Sequence, residues 1–355
     1  MPWFSVKILK NMVFSGWSCL HCQIVKREYL RVMRLTFLGT SAGMPTTERN
    51  VTALALALDD SRSWYLVDCG EGTQHQLLHC RYTLSQLQAI FITHVHGDHI
   101  FGLPGLLTSA SMQGRTEPLT ICGPEGVESF VRHSLACADV QHLPFELCFT
   151  RSDKDSFQYQ DGSVTVTAHG LSHRVPSFAY RISEQVVSHR LDQEKLDALG
   201  IPRGPLWGQL QAGEPVTLED GRQVVSDEVM GTPPEKRTVI IGGDNDQPEL
   251  LMDVLADADL LVHEATFTDE VFQKVGPVWM HSTAKKVAQV AESVHLSNLI
   301  LTHFSGRFRL SPQAEGSSVE LIRTEAEQFY QGHLELAEDF AVWELSRDKA
   351  LIKIE

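Results

Sequence analysis

No uncharged apolar run in this sequence of 355 residues approaches the roughly 20 residues that a helix needs to cross a bilayer. That absence excludes a spanning helix and predicts a soluble chain with no membrane partner. Low-complexity tracts are missing, as is any repeat with the roughly 20- to 50-residue period of solenoids and propellers. Positive charge is scarce: 30 Lys and Arg stand against 45 Asp and Glu, giving a formal net charge of −15 with His neutral. Such a surface repels nucleic acid overall, so DNA is not an expected partner, and an RNA would have to be held by a local positive field. Cysteines are few: seven, an odd number, scattered along the chain. They read as reduced thiols of a cytoplasmic protein rather than a secreted disulfide framework. Cys19 and Cys22 form a lone C-x-x-C, and without a second ligand pair nearby it does not read as a zinc site.

What is present is enough apolar residue for a sizeable core, 43% hydrophobic against 21% charged. The length fits one large domain with an insertion as well as two domains. Residues 1–32 carry basic residues and a short apolar patch but no continuous apolar core followed by a small-residue cleavage site. They read as an extension outside the domain, and "MRLTFLGT" from Met33 reads as its first strand, so the domain is expected over 33–355.

Short aliphatic or β-branched runs alternate with helical patterns in two similar series. "RLTFLGT", "TALALAL", "WYLVDCG", "AIFITH" and "LTICG" form one, and "VTVTAHGLSH", "FAYRI", "TVIIGGD", "DLLVHEATF" and "LILTHF" the other. Several of these runs end in Asp or His: Asp68, His94, Asp244, His263 and His303. Polar groups at strand ends are how α/β folds assemble active sites. A helix is expected in "HSTAKKVAQVAESV", with Ser282 or Thr283 as N-cap and Ala284, Val287, Ala288 and Ala291 on its apolar face. Another is expected in "SSVELIRTEAEQFYQG", with Gly332 as its stop. Residues 184–229 break the rhythm with the turn signals "PRGP", "QAGEP" and "EDG". Their length, with Leu206, Trp207 and Leu210 expected at the surface, suggests an arm that contacts a partner.

The stretch "FITHVHGDHIFGLPGLL" packs His94, His96, Asp98 and His99 directly behind a strand. Each imidazole removed from water needs a partner. His94 and His96, two apart in extended chain, leave one face. Gly97 lets the backbone turn so that Asp98 and His99 aim at a second point close by. The cluster reads as a dinuclear metal site.

This cluster, with "FLGTSAGMPTTERNVTALAL", "VDCGEGTQHQLL", "GIPRGPLWGQLQAGEPVTLEDGR", "LVHEATF" and "ILTHFSGRF", resembles the ribonuclease Z family of metallo-β-lactamase-fold hydrolases from about Met33 onward. The resemblance implies an α/β fold, a four-layer αββα sandwich with an inserted exosite arm over 184–229. It implies two Zn2+ ions, with Mn2+ as an alternative, in an endoribonuclease that cuts precursor tRNA after the discriminator nucleotide and leaves a 3′-hydroxyl. A homodimer is implied as well. Carried over residue by residue, it assigns His94, His96 and His173 to one metal, Asp98, His99 and His303 to the other, and Asp244 as the bridge. His169 competes with His173, which is favoured because "SHRVPSFAYRI" matches the ligand-bearing stretch. Asp68 would orient a ligand histidine, Asp98 would accept the water's proton, and His263, held by Glu264, would protonate the leaving oxygen. Arg49, Asn50, Gly204, Pro205 and Arg307 would touch RNA. The chain departs from the family's P-x-K-x-R-N loop at Thr47, carries Asn245 in "GGDNDQP", and reads "SGRF" after His303. A small-molecule phosphodiesterase or sulfatase on the same fold is the alternative, distinguished by having no need of an arm.

Overall fold

The computed structural model describes residues 32–58, 62–185, 191–231, 235–310 and 317–354. The expectations for Cys19, Cys22 and the segment before Val32 lie outside those residues. Two sheets stack face to face and carry helices on their outer sides, the four-layer arrangement expected. The first sheet has eight strands in the order Leu351–Lys353, Val342–Leu345, Met33–Gly39, Ala53–Leu58, Trp64–Val67, Leu87–Phe91, Leu119–Gly123 and Leu147–Arg151. The second has seven, in the order His333–Leu336, Asn298–Thr302, Leu260–Glu264, Thr238–Gly242, Ser177–Glu184, Val164–Leu171 and Gln158–Gln160.

Period-2 patterning explains the layers. In "ALALAL" of Ala53–Leu58, Leu54, Leu56 and Leu58 enter the core between the sheets, while Ala53, Ala55 and Ala57 face the helical layer with Leu103, Leu106 and Val131. Small alanines on that side leave room for close helix approach. Thr238–Gly242 does the same in the second sheet, sending Val239 and Ile241 inward and Ile240 outward to Ala284, Val287 and Ala288. The helix Ala284–Ser293 starts at Thr283, whose hydroxyl accepts from the Lys286 N–H, and buries the expected face. The helix near the C-terminus spans Glu320–Ala326 and stops before the expected Gly332. Tyr330 turns in instead, donating its hydroxyl to the Leu296 carbonyl at 2.7 Å and filling the space beside Gly332. Among the described cysteines, Cys69, Cys122, Cys137 and Cys148 are free thiols.

The expected arm is a small folded unit. Leu196, Ile201, Leu210, Val216, Val224 and Val229 bury one another, with Leu206 and Trp207 packed against them. The surface placement of Leu206, Trp207 and Leu210 is therefore corrected: Leu210 is fully buried, because short helices can hide their few apolar residues only by sharing them. The starting bound also moves. Glu184 still pairs within the second sheet, and a bridge from Leu191 to Met230 closes the arm.

Glu184 has a second role in the fold. Its carboxylate accepts from Arg237 at 3.0 and 3.1 Å and from Arg347 at 2.7 Å, and the Arg237 side chain is wholly buried. Glu184→Ala would remove the carboxylate paired with that buried charge, and breaking a buried pair costs about 3–5 kcal/mol. Urea denaturation is expected to show a loss of this size, with Glu184→Gln losing less.

Candidate metal centre

Both sheets deliver polar residues to one edge of the sandwich, mostly from the ends of parallel strands. The first supplies Asp68 after Trp64–Val67 and the cluster His94 to His99 after Leu87–Phe91. The second supplies His173, Asp244 after Thr238–Gly242, and His303 after Asn298–Thr302. Asp68 and His303 adopt left-handed backbone, φ 59° and 57°, which bulky residues rarely do and which turns each side chain off its strand toward the centre.

The side chains converge in three overlapping groups: His94, His96, His173 and Asp244; Asp98, His99 and His303; and Asp244, His281 and His303. Asp244 joins them. Its Oδ2 lies 3.5 Å from His94 Nε2 and 3.6 Å from His173 Nε2, and its Oδ1 lies 3.6 Å from His99 Nε2 and 3.3 Å from His303 Nε2. Asp98 Oδ2 closes the second group at 3.5 Å from His99 Nε2 and 3.4 Å from His303 Nε2. His96 presents Nδ1, 3.2 Å from His173 Nε2. Ligand atoms about 2.1 Å from a shared ion in a tetrahedron stand about 3.4 Å apart, so these spacings are those of ligand sets. The Nε2 atoms of His94 and His99 are buried without a hydrogen-bond partner, so each has a lone pair or proton that only an ion or water would satisfy.

The opposite ring nitrogens are tied down, which fixes each imidazole's direction. His99 Nδ1 donates to Asp68 at 2.7 Å, while Asp68 also accepts from the Thr93 N–H and hydroxyl, both at 2.8 Å. Asp68 therefore fixes the direction of the His99 ring. His94 Nδ1 lies 3.1 Å from the Thr93 hydroxyl. His173 Nδ1 donates to the Met280 carbonyl at 2.9 Å, and His303 Nδ1 lies 3.1 Å from the Thr266 hydroxyl. The Gly43 N–H donates to Asp98 Oδ2 at 2.8 Å. His169 stays out of the cluster and bonds Thr167 at 3.0 Å instead.

Electrostatics favour a cation here. Burial, reinforced by His99, pushes the His94 proton affinity well below its ordinary value, leaving a neutral imidazole. Burial also opposes a charge on His99, but Asp68, Asp98 and Asp244 outweigh it and raise its pKa well above the usual histidine range. Burial disfavours ionised Asp244 too, yet His303, His94 and His99 hold its pKa below the usual carboxylate range. The carboxylates are charged and demand positive charge.

The expected His263–Glu264 dyad does not form. His263 is fully buried; its Nδ1 donates to the Glu264 carbonyl at 2.7 Å, and its Nε2 accepts from the Asn245 amide, 3.2 Å away. Both nitrogens are spent, and burial keeps the ring neutral. Alternation along Leu260–Glu264 places the two side chains on opposite faces, so Glu264 turns away from His263. The Glu264 carboxylate accepts from His281 Nδ1 at 3.0 Å, from the N–H groups of Asn245, Thr266 and Ser282 at 3.1 Å, and from the Thr266 hydroxyl at 2.5 Å. His281, missed in the sequence because the following Ser and Thr read as a helix cap, stands 3.7 Å from Asp244. Burial lowers its pKa, but Glu264 and Asp244 prevail and raise it to about 9. Asn245 knits the wall together: its side chain accepts from the Ser172 N–H, and its carbonyl accepts from the Ser282 hydroxyl at 2.5 Å.

The RNA-binding expectations divide. Arg49 is corrected: only 2% exposed, it donates to the Phe308 carbonyl at 2.6 Å and lies over the Phe304 ring, bracing the loop after His303 rather than facing solvent. Asn50 is half-buried and donates to the Glu71 carbonyl. Gly204 and Pro205 are exposed at the start of the arm helix Pro205–Gln211, and Arg307 is exposed beside the centre's His303 loop. Arg190 lies outside the described residues. Lys195, Arg203 and Arg222 are exposed but already engaged, with the Met230 carbonyl, the Trp207 ring and Asp220. No helix among the described residues is long and apolar enough to cross a membrane.

Comparison with known proteins agrees with this geometry. A family model described as anti-Pycsar protein Apyc1 matches residues 33–182. Among solved structures, the short form of human tRNase Z aligns with a TM-score of 0.59 at 28% identity, covering 87% of this chain and 98% of that one. The metallo-β-lactamase fold protein YhfI of Bacillus subtilis shares the fold, with a TM-score of 0.61 at 19% identity over 88% of this chain and 99% of that one. Ribonuclease Z of Marinobacter nauticus is 50% identical over 323 residues, 91% of this chain and 99% of that protein, and that of Pseudomonas putida 48% identical over 319, 90% and 99%. Identity at this level along nearly the whole of such relatives, joined to a metallo-β-lactamase fold whose clustered imidazoles and carboxylates serve a divalent metal, means that the chain belongs to the ribonuclease Z family.

Proposed function

We propose that the chain is an endoribonuclease that removes the 3′ trailer from precursor tRNA, cutting after the discriminator nucleotide to leave a 3′-hydroxyl, with two zinc ions per chain. The observation that carries the reading is Asp244, which offers one carboxylate oxygen to each of two imidazole-rich groups. Imidazole and carboxylate donors suit zinc. His94, His96 and His173 would hold one ion and Asp98, His99 and His303 the other. Bound ions supply charge that acidifies water toward a pKa of ~7 and offsets the charge growing on phosphoryl oxygens.

The chain's own residues do the rest. Asp98 keeps Oδ2 toward His99, His303 and the Gly43 N–H, leaving Oδ1 to accept the attacking water's proton. His281, cationic at neutral pH beside Glu264, donates its Nε2 proton to the departing 3′-oxygen. Glu264 stays ionised under its hydrogen-bond donors and fixes the ring. Arg307 and the arm's Gly204 and Pro205 hold RNA, Asn50 shapes the loop below, and the working form is a cytoplasmic homodimer.

The test is incubation of the purified protein with a precursor tRNA and with a small aryl phosphodiester, together with a zinc count. Cleavage after the discriminator at two zinc per chain is expected. Cleavage of the small ester alone favours the small-molecule phosphodiesterase, and light scattering decides the dimer. Replacing residues 191–230 with a short linker is expected to raise KM for precursor tRNA while sparing the small ester, because it removes a distant grip and leaves Glu184 in the sheet. Equal losses on both substrates in a folded variant would make the arm structural.

A further inference from the structure

Trp279 is half exposed at the rim of the centre, two residues before His281 and one before Met280, whose carbonyl holds the His173 ring. Arg174, next in sequence to His173, sets its guanidinium over the indole at 5.1 Å. Neither side chain serves the core: Arg174 is exposed, and Val278 and Trp279 stand 68% and 48% open to solvent. The indole offers a large apolar face with a polar N–H at its edge, the kind of side chain enriched at interfaces.

From this placement we infer that the Arg174–Trp279 pair is a stacking platform for the base of the nucleotide whose 3′-oxygen departs, with the Arg174 guanidinium reaching the adjoining phosphate. The inference rests on the tRNA-processing reading, which makes that nucleotide the discriminator. Three observations converge on it. Unpaired bases are held by aromatic faces and guanidinium planes with little demand for sequence, which suits an enzyme that must accept many tRNAs. The platform lies on the wall of His281, whose ring stands 3.7 Å from Asp244 and, in the proposed mechanism, faces the departing oxygen, so it serves the nucleotide on that side of the cut. Its charge lies on the open rim of an otherwise acidic chain, where a phosphate entering the centre must pass.

Precursor tRNA with a normal or an abasic discriminator nucleotide, cleaved in single turnover by the wild type and by Trp279→Ala, tests it. Each change alone is expected to slow cleavage roughly 10- to 100-fold, the scale of one lost base stack, and both together no more than either. Trp279→Phe should recover most of the rate, Arg174→Ala should show a weaker dependence on salt than the wild type, and metal analysis of Trp279→Ala should show the ligands intact. Losses that multiply, or coupling to an abasic first trailer nucleotide instead, would overturn the platform while leaving tRNA processing standing. A wild type that fails to cut precursor tRNA would overturn the reading beneath it.

Discussion

Asp244→Ala is expected to lower metal content and remove nearly all activity, on RNA and on an activated aryl phosphodiester alike. The carboxylate faces His94 and His173 with one oxygen and His99 and His303 with the other, so its loss opens both groups at once. It also leaves imidazoles crowded together without the anion that lets them share a site. The fall should exceed the ~10- to 100-fold typical of removing an outer partner such as Asp68. Metal analysis and initial rates check it. Full metal content with full activity would show that Asp244 bridges nothing.

His281→Ala is expected to slow RNA cleavage by roughly 10²- to 10⁴-fold, the scale of general acid catalysis, and to spare an aryl phosphodiester whose phenolate leaves without a proton. Its imidazolium, raised to about 9 by Glu264 and Asp244 against burial, is protonated at neutral pH and lost as pH rises. The wild type's alkaline fall in rate should therefore vanish in the variant. His263→Ala should behave differently. It strands the Asn245 amide and the Glu264 carbonyl in the core, costing about 1–3 kcal/mol of stability for an unpaired buried group, without any preference for the leaving group. A selective RNA defect in His263→Ala, with His281→Ala slowing both substrates equally, would reverse the two roles.

The contrast between these histidines shows where sequence reading ran out. Adjacency suggested that Glu264 holds His263, but neighbours on a strand point to opposite faces, and the partner of Glu264 is His281, 17 residues further on. Arg49 failed for a related reason: its charge and motif suggested an RNA contact, whereas the loop containing Phe304 and Phe308 folds over it. In the arm, Leu206, Trp207 and Leu210 suggested a sticky surface because a sequence does not show which short elements cover one another.

By itself the sequence determined what local chemistry can carry. Period-2 runs of Leu, Ile and Val could do little but form buried strands, and the cluster from His94 to His99 directly behind one of them required a metal. The clustered His and Asp residues were legible because they follow strands closely, at their ends or in the short helix Gly97–Ile100, where chain geometry is set within a few residues. Tertiary structure alone decided that Glu264 holds His281, while His263 stays in the core. That choice depends on the other nitrogen of each ring, whose partners Glu264, Asn245, Thr266 and Met280 arrive only when the strand-end loops of the second sheet pack together.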